Sequence, residues 1–390
     1  MPRLPFCPTL VLPRPALTGR VGLGLAAWFL VSPVLWAQQA APPTNQPPAE
    51  QAPWQKVLNE ADAHTVQRLT LALTKALEND KIPEAQRAAN DILALRTRVQ
   101  GPKHWQTIDA AQQLAEMKLL SRLKPADRTA LTLSRTQLTR AEQLFGQRKF
   151  TEALAVAEQS RQTRARLLGE KHPDTARAQL QIANCRTWLK DYKPAQVAFL
   201  NAMGVLQTSL GEDHPDLATC MSDLAYCLSQ QGNMDDAQLF FAKSLAIRRR
   251  VLGDLDPQTL LTCRIAATHL DRPGHYQRAT ELRTLAIELT QRQSGERHPD
   301  VADRRLDLAR NLQSQRQTAE AQSQFEQALA LRRDTLGDGA PPTISAFREL
   351  ARHHYFYGNL LTAREILQTA RAARLARDAA VDEELAGLEF

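Results

Sequence analysis

The chain has 390 residues, of which 49 are lysine or arginine and 42 are aspartate or glutamate, for a formal net charge of +7. The two signs are interspersed along the chain, which favours a solvated surface over a nucleic-acid-binding patch. Four cysteines follow residue 180, and their spacing does not resemble a disulfide framework. Cys220 and Cys227, for example, are seven residues apart on one predicted helix, about 10 Å from each other. We interpret all four as small core residues, and a disulfide stays open only between pairs other than Cys220–Cys227 and Cys185–Cys227.

Residues 1–37 have the order of a secretory signal peptide. Three arginines precede the apolar run VGLGLAAWFLVSPVLWA, which ends at a small residue, Ala37. We therefore expect cleavage after Ala37 and an exported protein of the periplasm or cell envelope, which would contact a membrane only if the signal stayed uncleaved. A retained anchor is the alternative, although this 17-residue run is interrupted by Pro33 and is short for a span of about 20 residues.

Removal of the predicted signal takes away three arginines and no acidic residue, so the net charge falls from +7 to +4. The arginines are Arg3, Arg14 and Arg20. We expect residues 38–57, rich in proline and glutamine, to be a polar linker, because this composition has no means of burying a core.

Residues 58–125 are predicted to form a degenerate repeat followed by one additional helix. The stretch VQGPKHWQTIDAA at Val99–Ala111 is a variant of a motif that recurs regularly from Leu168 onward. However, Gly101 precedes Gly169 by 68 residues, and Trp105 stands where the later copies have proline. We expect the degenerate repeat at Glu60–Gln100 and the additional helix at Thr107–Leu123.

Residues 126–377 contain six units of 42 residues, a period typical of repeat arrays and not of two or three separate globular domains. The motif LGEKHPDTA at Leu168 returns as LGEDHPDLA at Leu210 and SGERHPDVA at Ser294. Its glycine is found at Gly169, Gly211, Gly253, Gly295 and Gly337, and its proline at Pro173, Pro215, Pro257, Pro299 and Pro341.

Two alanine positions in each unit predict two helices that cross closely, because a small residue lets helix axes approach. The first is found at Ala141, Ala183, Ala225, Ala267, Ala309 and Ala351, and the second twelve residues later at Ala153, Ala195, Ala237, Ala279, Ala321 and Ala363. Phenylalanines four residues after the second alanine, at Phe199, Phe241 and Phe325, lie on the same helical face. Each unit is therefore predicted to be a helix pair.

The recurring motif is predicted to join one helix pair to the next. Glycine suits the residue after a helix, and proline suits the first turn of the following helix. His172, His214 and His298 belong to these joints and are one or two repeats apart, so a capping or turn role is favoured over a metal site, whose ligands must converge on one point. We expect residues 378–390 to form a charged C-terminal cap or tail.

The pattern of a small residue, an alanine twelve later and an aromatic four after that resembles the tetratricopeptide repeat (TPR). The 42-residue unit with LGxxHPDxA is similar to the long variant found in kinesin light chains and exported bacterial proteins. This resemblance implies an all-α, right-handed TPR solenoid of antiparallel helix pairs, with six clear repeats and a degenerate N-terminal one. The paired asparagine that holds the ligand backbone in kinesin-light-chain-like repeats is missing, so that ligand set does not carry over.

No motif of catalysis or of cofactor binding is found: GxSxG, HExxH, CxxC and the Walker loop are all missing from the sequence. We therefore expect no enzyme activity, no catalytic residue, no cofactor and no metal site.

The resemblance implies that the first helix of each unit lines a concave surface, and its variable positions here are rich in arginine and aromatic residues. Arginine offers fork-shaped donors to carboxylates, and aromatic rings offer rigid apolar contact. We predict that the ligand is a protein or an extended, acidic peptide, or else a C-terminal carboxylate. The candidate peptide-binding residues are Arg177, Asn184, Trp188, Tyr226, Arg264, Arg310, Arg348, Arg352 and Tyr355. Alternatively, they are only the solvated surface of an arginine-rich protein.

The function predicted from the sequence is a non-catalytic scaffold that binds a protein or acidic peptide, and neither nucleic acid nor any cofactor. Two alternatives stay open. One is a structural envelope component that self-associates. The other is a sensory or regulatory partner of a separately encoded enzyme.

Overall fold

The structure is a computed structural model that describes the backbone of residues 52–387 and the side chains of residues 52–379. The predicted signal peptide and nearly all of the predicted linker lie outside these residues. The fold is all-α, with no strand among the residues described, and consecutive helices pack as antiparallel pairs, so the predicted fold class is confirmed. The chain divides into two compact units, Met1–His214 and Pro215–Phe390.

The first unit contains a short 3-10 helix, Pro53–Gln55, and seven α-helices. They are α1 (Glu60–Glu78), α2 (Ile82–Gln100), α3 (Trp105–Leu120), α4 (Pro125–Gly146), α5 (Phe150–Leu168), α6 (Pro173–Trp188) and α7 (Tyr192–Leu210). The pairs are α1–α2, α4–α5 and α6–α7, and α3 packs on α2 without a second helix of its own.

The second unit contains four helix pairs. They are α8 (Pro215–Gln231) with α9 (Met234–Val251), α10 (Pro257–His269) with α11 (Tyr276–Ser294), α12 (Pro299–Ser314) with α13 (Thr318–Leu336), and α14 (Pro341–Phe356) with α15 (Leu360–Gly387). Among the described residues, no helix combines the length and apolar character needed to span a bilayer.

The core is built from the two alanine positions predicted from the sequence. All twelve alanines are buried, with exposed fractions of 0–5 %, and Phe199, Phe241 and Phe325 are buried completely or nearly so. The four cysteines that we interpreted as core residues are also buried and form no disulfide. The small side chains let each pair of helices meet closely, while the phenylalanines fill the space beside the crossing.

The joints between pairs have the predicted cap geometry. Their five glycines all have φ between +82° and +94°, a region that favours glycine. The Nδ1 atoms of His172 and His298 accept a hydrogen bond from the backbone N–H two residues later, at 3.1 and 3.2 Å, so the capping role of these two histidines is confirmed. Asp256 takes over this role before α10, where the motif has no histidine.

A buried arginine ties every second pair to the joint that follows it. Arg164, Arg248 and Arg332 are 84 residues apart, or two repeats, and all are buried. Each donates from Nη1 to the backbone carbonyl ten residues further on, at 3.0, 3.0 and 2.5 Å. The acceptor lies in the first turn of the following helix. These charge-assisted bonds lock the end of one helix to the start of the next.

The long last helix α15 crosses the joint between α13 and α14 at Gly339. A Cβ atom on this glycine would lie 2.6 Å from Arg377 Cβ and 2.7 Å from the carbonyl oxygen of Ala373. Arg377 Nη1 also donates to the Gly339 carbonyl at 3.2 Å. The absence of a side chain at residue 339 is therefore what lets α15 pack on the joint.

We expect Gly339→Ala to lower the free energy of unfolding by about 1–3 kcal/mol, because the new methyl group meets backbone that must move. The matched control is Gly204→Ala in α7, where a Cβ would meet nothing within 4 Å. It should raise stability by roughly 0.5–1 kcal/mol through helix propensity. Urea unfolding followed by circular dichroism measures both, and two changes of the same sign would contradict this packing of α15.

Candidate peptide-binding surface

We use the term first-helix surface for the outward side chains of the first helix in each pair. The candidate residues all lie on such helices. Arg177, Asn184 and Trp188 are on α6 in the first unit. The other six are in the second unit: Tyr226 on α8, Arg264 on α10, Arg310 on α12, and Arg348, Arg352 and Tyr355 on α14.

A chain of ion pairs connects α12 to α14 in the second unit. Asp307 accepts from Arg304 at 3.2 Å and from Arg310 at 3.1 Å, and Arg310 also reaches Glu349 Oε1 at 3.2 Å. Glu349 in turn contacts Arg352. Three arginines thus share two carboxylates, which holds the guanidinium groups of Arg310 and Arg352 in place and leaves an excess of positive charge.

The exposed side of α14 combines cations with aromatic rings. Arg348, Arg352 and Tyr355 follow a spacing of four and three residues, so they lie on one face of the helix. Arg352 is 63 % exposed and Tyr355 is 69 % exposed. Arg348 is exposed too, and it forms no ion pair with any residue that the structure describes. A ligand carboxylate can therefore reach the fork of Arg348 without displacing an acid.

Tyr226 lies in a different setting, since its ring packs edge-on against His269 of α10 at a centroid distance of 4.8 Å. His269 also stacks on Phe241 and lies 3.4 Å from the Ser229 hydroxyl. Burial, together with the charge of Arg272, lowers the pKa of His269 to about 4. This neutral imidazole belongs to the packing between two helix pairs, whereas Arg264 on α10 is exposed.

In the first unit, Trp188 is a packing residue. Its ring stacks on Phe150 at 5.3 Å and meets Phe145 edge-on at 6.3 Å, and it is half-buried in this aromatic cluster. Asn184, one turn earlier on α6, is also half-buried. The aromatic character that suggested a ligand contact at Trp188 thus serves the junction of α4, α5 and α6.

The arginines of the first unit meet acids supplied by α3. Arg177 Nη1 lies 2.5 Å from Asp174, and its Nη2 lies 3.6 Å from Asp109 of α3. Arg135 of α4 contacts Glu116, also of α3. The first-helix surface of this unit is therefore already paired with carboxylates of its own chain.

Asp174 is the acid most strongly held in its charged form. Burial raises its pKa, but the charges of Arg177, Arg164, His172 and Arg135 outweigh that effect and lower the pKa to about 2. Burial lowers the pKa of both Arg135 and Arg164.

Helix α3 is fastened to the end of α7. Gln112 donates to the carbonyl of Ser209 at 3.1 Å, and Asp109 lies 3.3 Å from Nε2 of His214. His214 is fully buried and meets Trp105 edge-on. The joint histidine at this position therefore contacts the additional helix that the sequence predicts.

Reasoning from the sequence missed the acids that organise these arginines. Asp307 and Glu349 each stand three residues before an arginine on the same helix, and this i, i+3 spacing was the available signal. The contacts of Asp109 and Glu116 had no such signal, because α3 lies outside the repeat register. Within residues 52–379, no group of three or more His, Cys, Asp or Glu side chains is arranged to hold a metal ion.

The comparisons with known proteins concern the repeats. A family model of the tetratricopeptide repeat matches residues 132–199, 174–250 and 306–376. None of the curated proteins matches the chain.

Several solved structures are similar in fold. Nearly identical TPR-like repeats of a kinesin-light-chain protein from Podosopora anserina are 24 % identical, over 53 % of this chain and 98 % of that one, with a TM-score of 0.45. BtubC from P. vanneervenii is 21 % identical over 65 % and 93 %, with a TM-score of 0.42. A Rap protein in complex with competence and sporulation factor is 13 % identical over 84 % and 99 %, with a TM-score of 0.40.

The half-buried His269 predicts a specific loss of stability in mild acid. Its pKa in the folded chain is below the ordinary 6.5, so the unfolded chain takes up the proton first. The stabilisation is complete above pH 6.5 and is lost as the pH falls toward 4, by about 2 kcal/mol between pH 7 and pH 5. The free energy of unfolding of the wild type and of His269→Gln should be measured from pH 7.5 to 4.5, and the variant should lack the loss that protonation of His269 causes. If the two free energies fall in parallel with pH, the prediction is contradicted.

Proposed function

Because the chain carries tetratricopeptide repeats, which suggest a protein-interaction scaffold, we propose that it is non-catalytic and binds an acidic, extended peptide segment of a partner protein. The binding surface in this proposal is the first-helix surface of α12 and α14. Its key residues are Arg310, Arg348, Arg352 and Tyr355.

The observation that carries the proposal is the uneven pairing of charge on these two helices. Arg310 and Arg352 share Glu349, whose side chain is 15 % exposed, while Arg348 has no acidic partner among the described residues. Arginine forks on a surface with excess positive charge select carboxylates, and their ordered positions reduce the entropy lost on binding.

The proposed binding event uses each side chain differently. A carboxylate of the ligand takes both donors of Arg348, and a second one approaches Arg352 from the side opposite Glu349. The ring of Tyr355 supplies apolar contact next to these ion pairs, as aromatic residues do at binding hot spots. Since the arginines are solvent-exposed, the affinity should fall as salt is added.

In this proposal the first unit has a structural role and does not bind the peptide. Asp109 and Glu116 of α3 occupy the arginines that a ligand would need there. We assign peptide binding to the second unit for this reason, although Arg177, Asn184 and Trp188 were candidates from the sequence.

We further propose that the protein acts after export, in the periplasm or cell envelope. Support for this comes only from the sequence of residues 1–37, with its basic start, apolar run and small residue at Ala37. The partner would then be an envelope protein with an acidic, accessible segment.

Selection of ligands from a random dodecapeptide library by the full chain tests the proposed function. We expect the recovered peptides to be enriched in aspartate and glutamate. Arg348→Ala and Arg352→Ala should each weaken binding of such a peptide about tenfold, or ~1.4 kcal/mol, in a titration followed by fluorescence anisotropy.

The matched control removes two arginines from α11 and the joint after it, Arg292→Ala with Arg297→Ala, and it should leave the affinity unchanged. Recovered peptides without acidic enrichment, or equal losses in the control and in the α14 variants, would refute the assignment of this surface.

A further inference from the structure

The turn between α14 and α15 carries a group of exposed apolar side chains. Phe356, Leu360 and Leu361 are 68 %, 58 % and 77 % exposed. A Cβ atom on Gly358, which lies between them in the chain, would meet nothing within 4 Å, so no described residue packs over the turn. We refer to Phe356, Leu360 and Leu361 as the α14–α15 tip.

The tip departs from the repeat pattern at positions that do not belong to the core. The residues at the position of Phe356 in the three preceding pairs are Gln230, Arg272 and Ser314, and those at the position of Leu361 are Asp235, Gln277 and Ala319. None of these six residues is buried. Packing within a pair therefore does not require a large apolar residue at either position, and the two at the tip call for another explanation.

The backbone of this turn is held by hydrogen bonds. Gly358 has a φ of +83°, and the N–H of Asn359 donates to the His354 carbonyl at 2.9 Å. The hydroxyl of Tyr357 donates to the carbonyl of Gln313 at 3.4 Å, which ties the turn to the end of α12. A fixed turn therefore presents the apolar side chains of the tip outward, and ordering this backbone costs little entropy on binding.

Two exposed arginines flank the tip. Arg364 stands four residues after Leu360 and three after Leu361, so the three side chains share one face of α15. Arg316 lies in the turn between α12 and α13, which the hydrogen bond from Tyr357 holds next to the tip. Neither arginine forms an ion pair with a residue that the structure describes. The tip is therefore an apolar group beside uncompensated positive charge.

The neighbouring turns between first and second helices keep an excess of positive charge. Arg272 adds a third exposed arginine without a described ion pair, and the adjacent Asp271 is occupied, since it accepts from Arg283 at 2.8 Å. The acids in the first two turns of α13 and α15 are Glu320 and Glu365. Three arginines thus stand beside two acids, an imbalance that attracts anions.

We propose that the α14–α15 tip inserts into the surface of a lipid bilayer that contains anionic lipids. Phe356, Leu360 and Leu361 enter the boundary between headgroups and acyl chains. The guanidinium groups of Arg316 and Arg364 bind lipid phosphates around them. The negative charge of the lipid surface draws these arginines toward it and so brings the tip into contact with the bilayer.

The shape of the surface favours a bilayer over a groove in a partner protein. The tip is convex, because it lies at a helix–helix turn with no described residue packed over it. An open cleft of about 470 Å³ beside the tip, between α14 and α15, is lined by Leu360 and Leu367 and by Arg364 and Arg371. Apolar walls next to two cations match a phospholipid, in which acyl chains and a phosphate are joined in one molecule.

This inference does not rest on peptide binding by α12 and α14. The variants that test it leave Arg310, Arg348, Arg352 and Tyr355 unchanged, and the affinity of Phe356→Trp for an acidic peptide should match that of the wild type. A chain that binds only the peptide or only the bilayer would refute one proposal without the other. Contact through the tip is also separate from contact through an uncleaved signal.

A tryptophan placed at the tip, Phe356→Trp in the full chain, tests the proposal. Its fluorescence is taken as the difference from the wild type, which has the same other tryptophans and the same apolar run near the N-terminus. We expect strong quenching by brominated acyl chains in vesicles of phosphatidylglycerol and phosphatidylcholine, and little in vesicles of phosphatidylcholine alone. With Arg316→Gln and Arg364→Gln added, half-maximal quenching should need about tenfold more lipid, because each arginine is attracted to the anionic surface.

The matched controls lie elsewhere in the same unit. Leu239 on α9 is 48 % exposed, and Leu239→Trp should not be quenched. Arg292→Gln with Arg297→Gln, added to Phe356→Trp, should leave the lipid requirement unchanged. Circular dichroism would establish that every variant keeps its helix content.

Three results would each overturn the proposal. The first is a tryptophan at residue 356 that the vesicles do not quench, which is also the result expected if the tip contacts a protein. The second is equal quenching at residues 239 and 356. The third is equal quenching by neutral and anionic vesicles.

Discussion

Close crossing of paired helices at alanine is the constraint on which this structure depends. A residue with one methyl group recurs at two places in each 42-residue unit, and all twelve examples are buried. Larger side chains there would push the helix axes apart. The phenylalanines beside the crossing would then lose their close packing, because they are buried only when the helices approach closely. With the inner face of each pair committed to packing, the outward side chains of the first helices are left to contact a ligand.

Charge pairing distinguishes the two units. In the first, the acids of α3 meet Arg135 and Arg177, and the surrounding arginines hold Asp174 in its ionised form. In the second, Glu349 is shared by Arg310 and Arg352, and Arg348 adds a cation that no acid of the described residues pairs with. In the first unit the arginines of the first-helix surface are thus paired with acids of the same chain, whereas in the second unit this surface keeps an excess of positive charge. The proposed function follows from that difference.

Periodicity explains which features were predictable from the sequence. The alanine positions, the joint glycines and the capping by His172 and His298 recur in register, so each copy supports the interpretation of the others. Contacts made by α3 do not recur, and no spacing rule places Asp109 beside Arg177. The packing contacts of Trp188 were not predictable for a related reason, because in a sequence pattern a half-buried ring on a first helix fits packing and ligand contact equally well. The buried arginines that bond to the following joint recur only in every second unit, at Arg164, Arg248 and Arg332, and the units between them have Leu206 and Thr290 at this position. A comparison at the 42-residue period therefore does not reveal them.

The central claim is that a ligand occupies the first helices of the second unit. Hydrogen exchange of the full chain, read by mass spectrometry with and without an acidic dodecapeptide recovered from the library, tests it most directly. The account predicts slower exchange in Pro299–Ser314 and Pro341–Phe356 and unchanged exchange in the second helices α11 and α13. Protection confined to α11 and α13, or found only in the first unit, would contradict it.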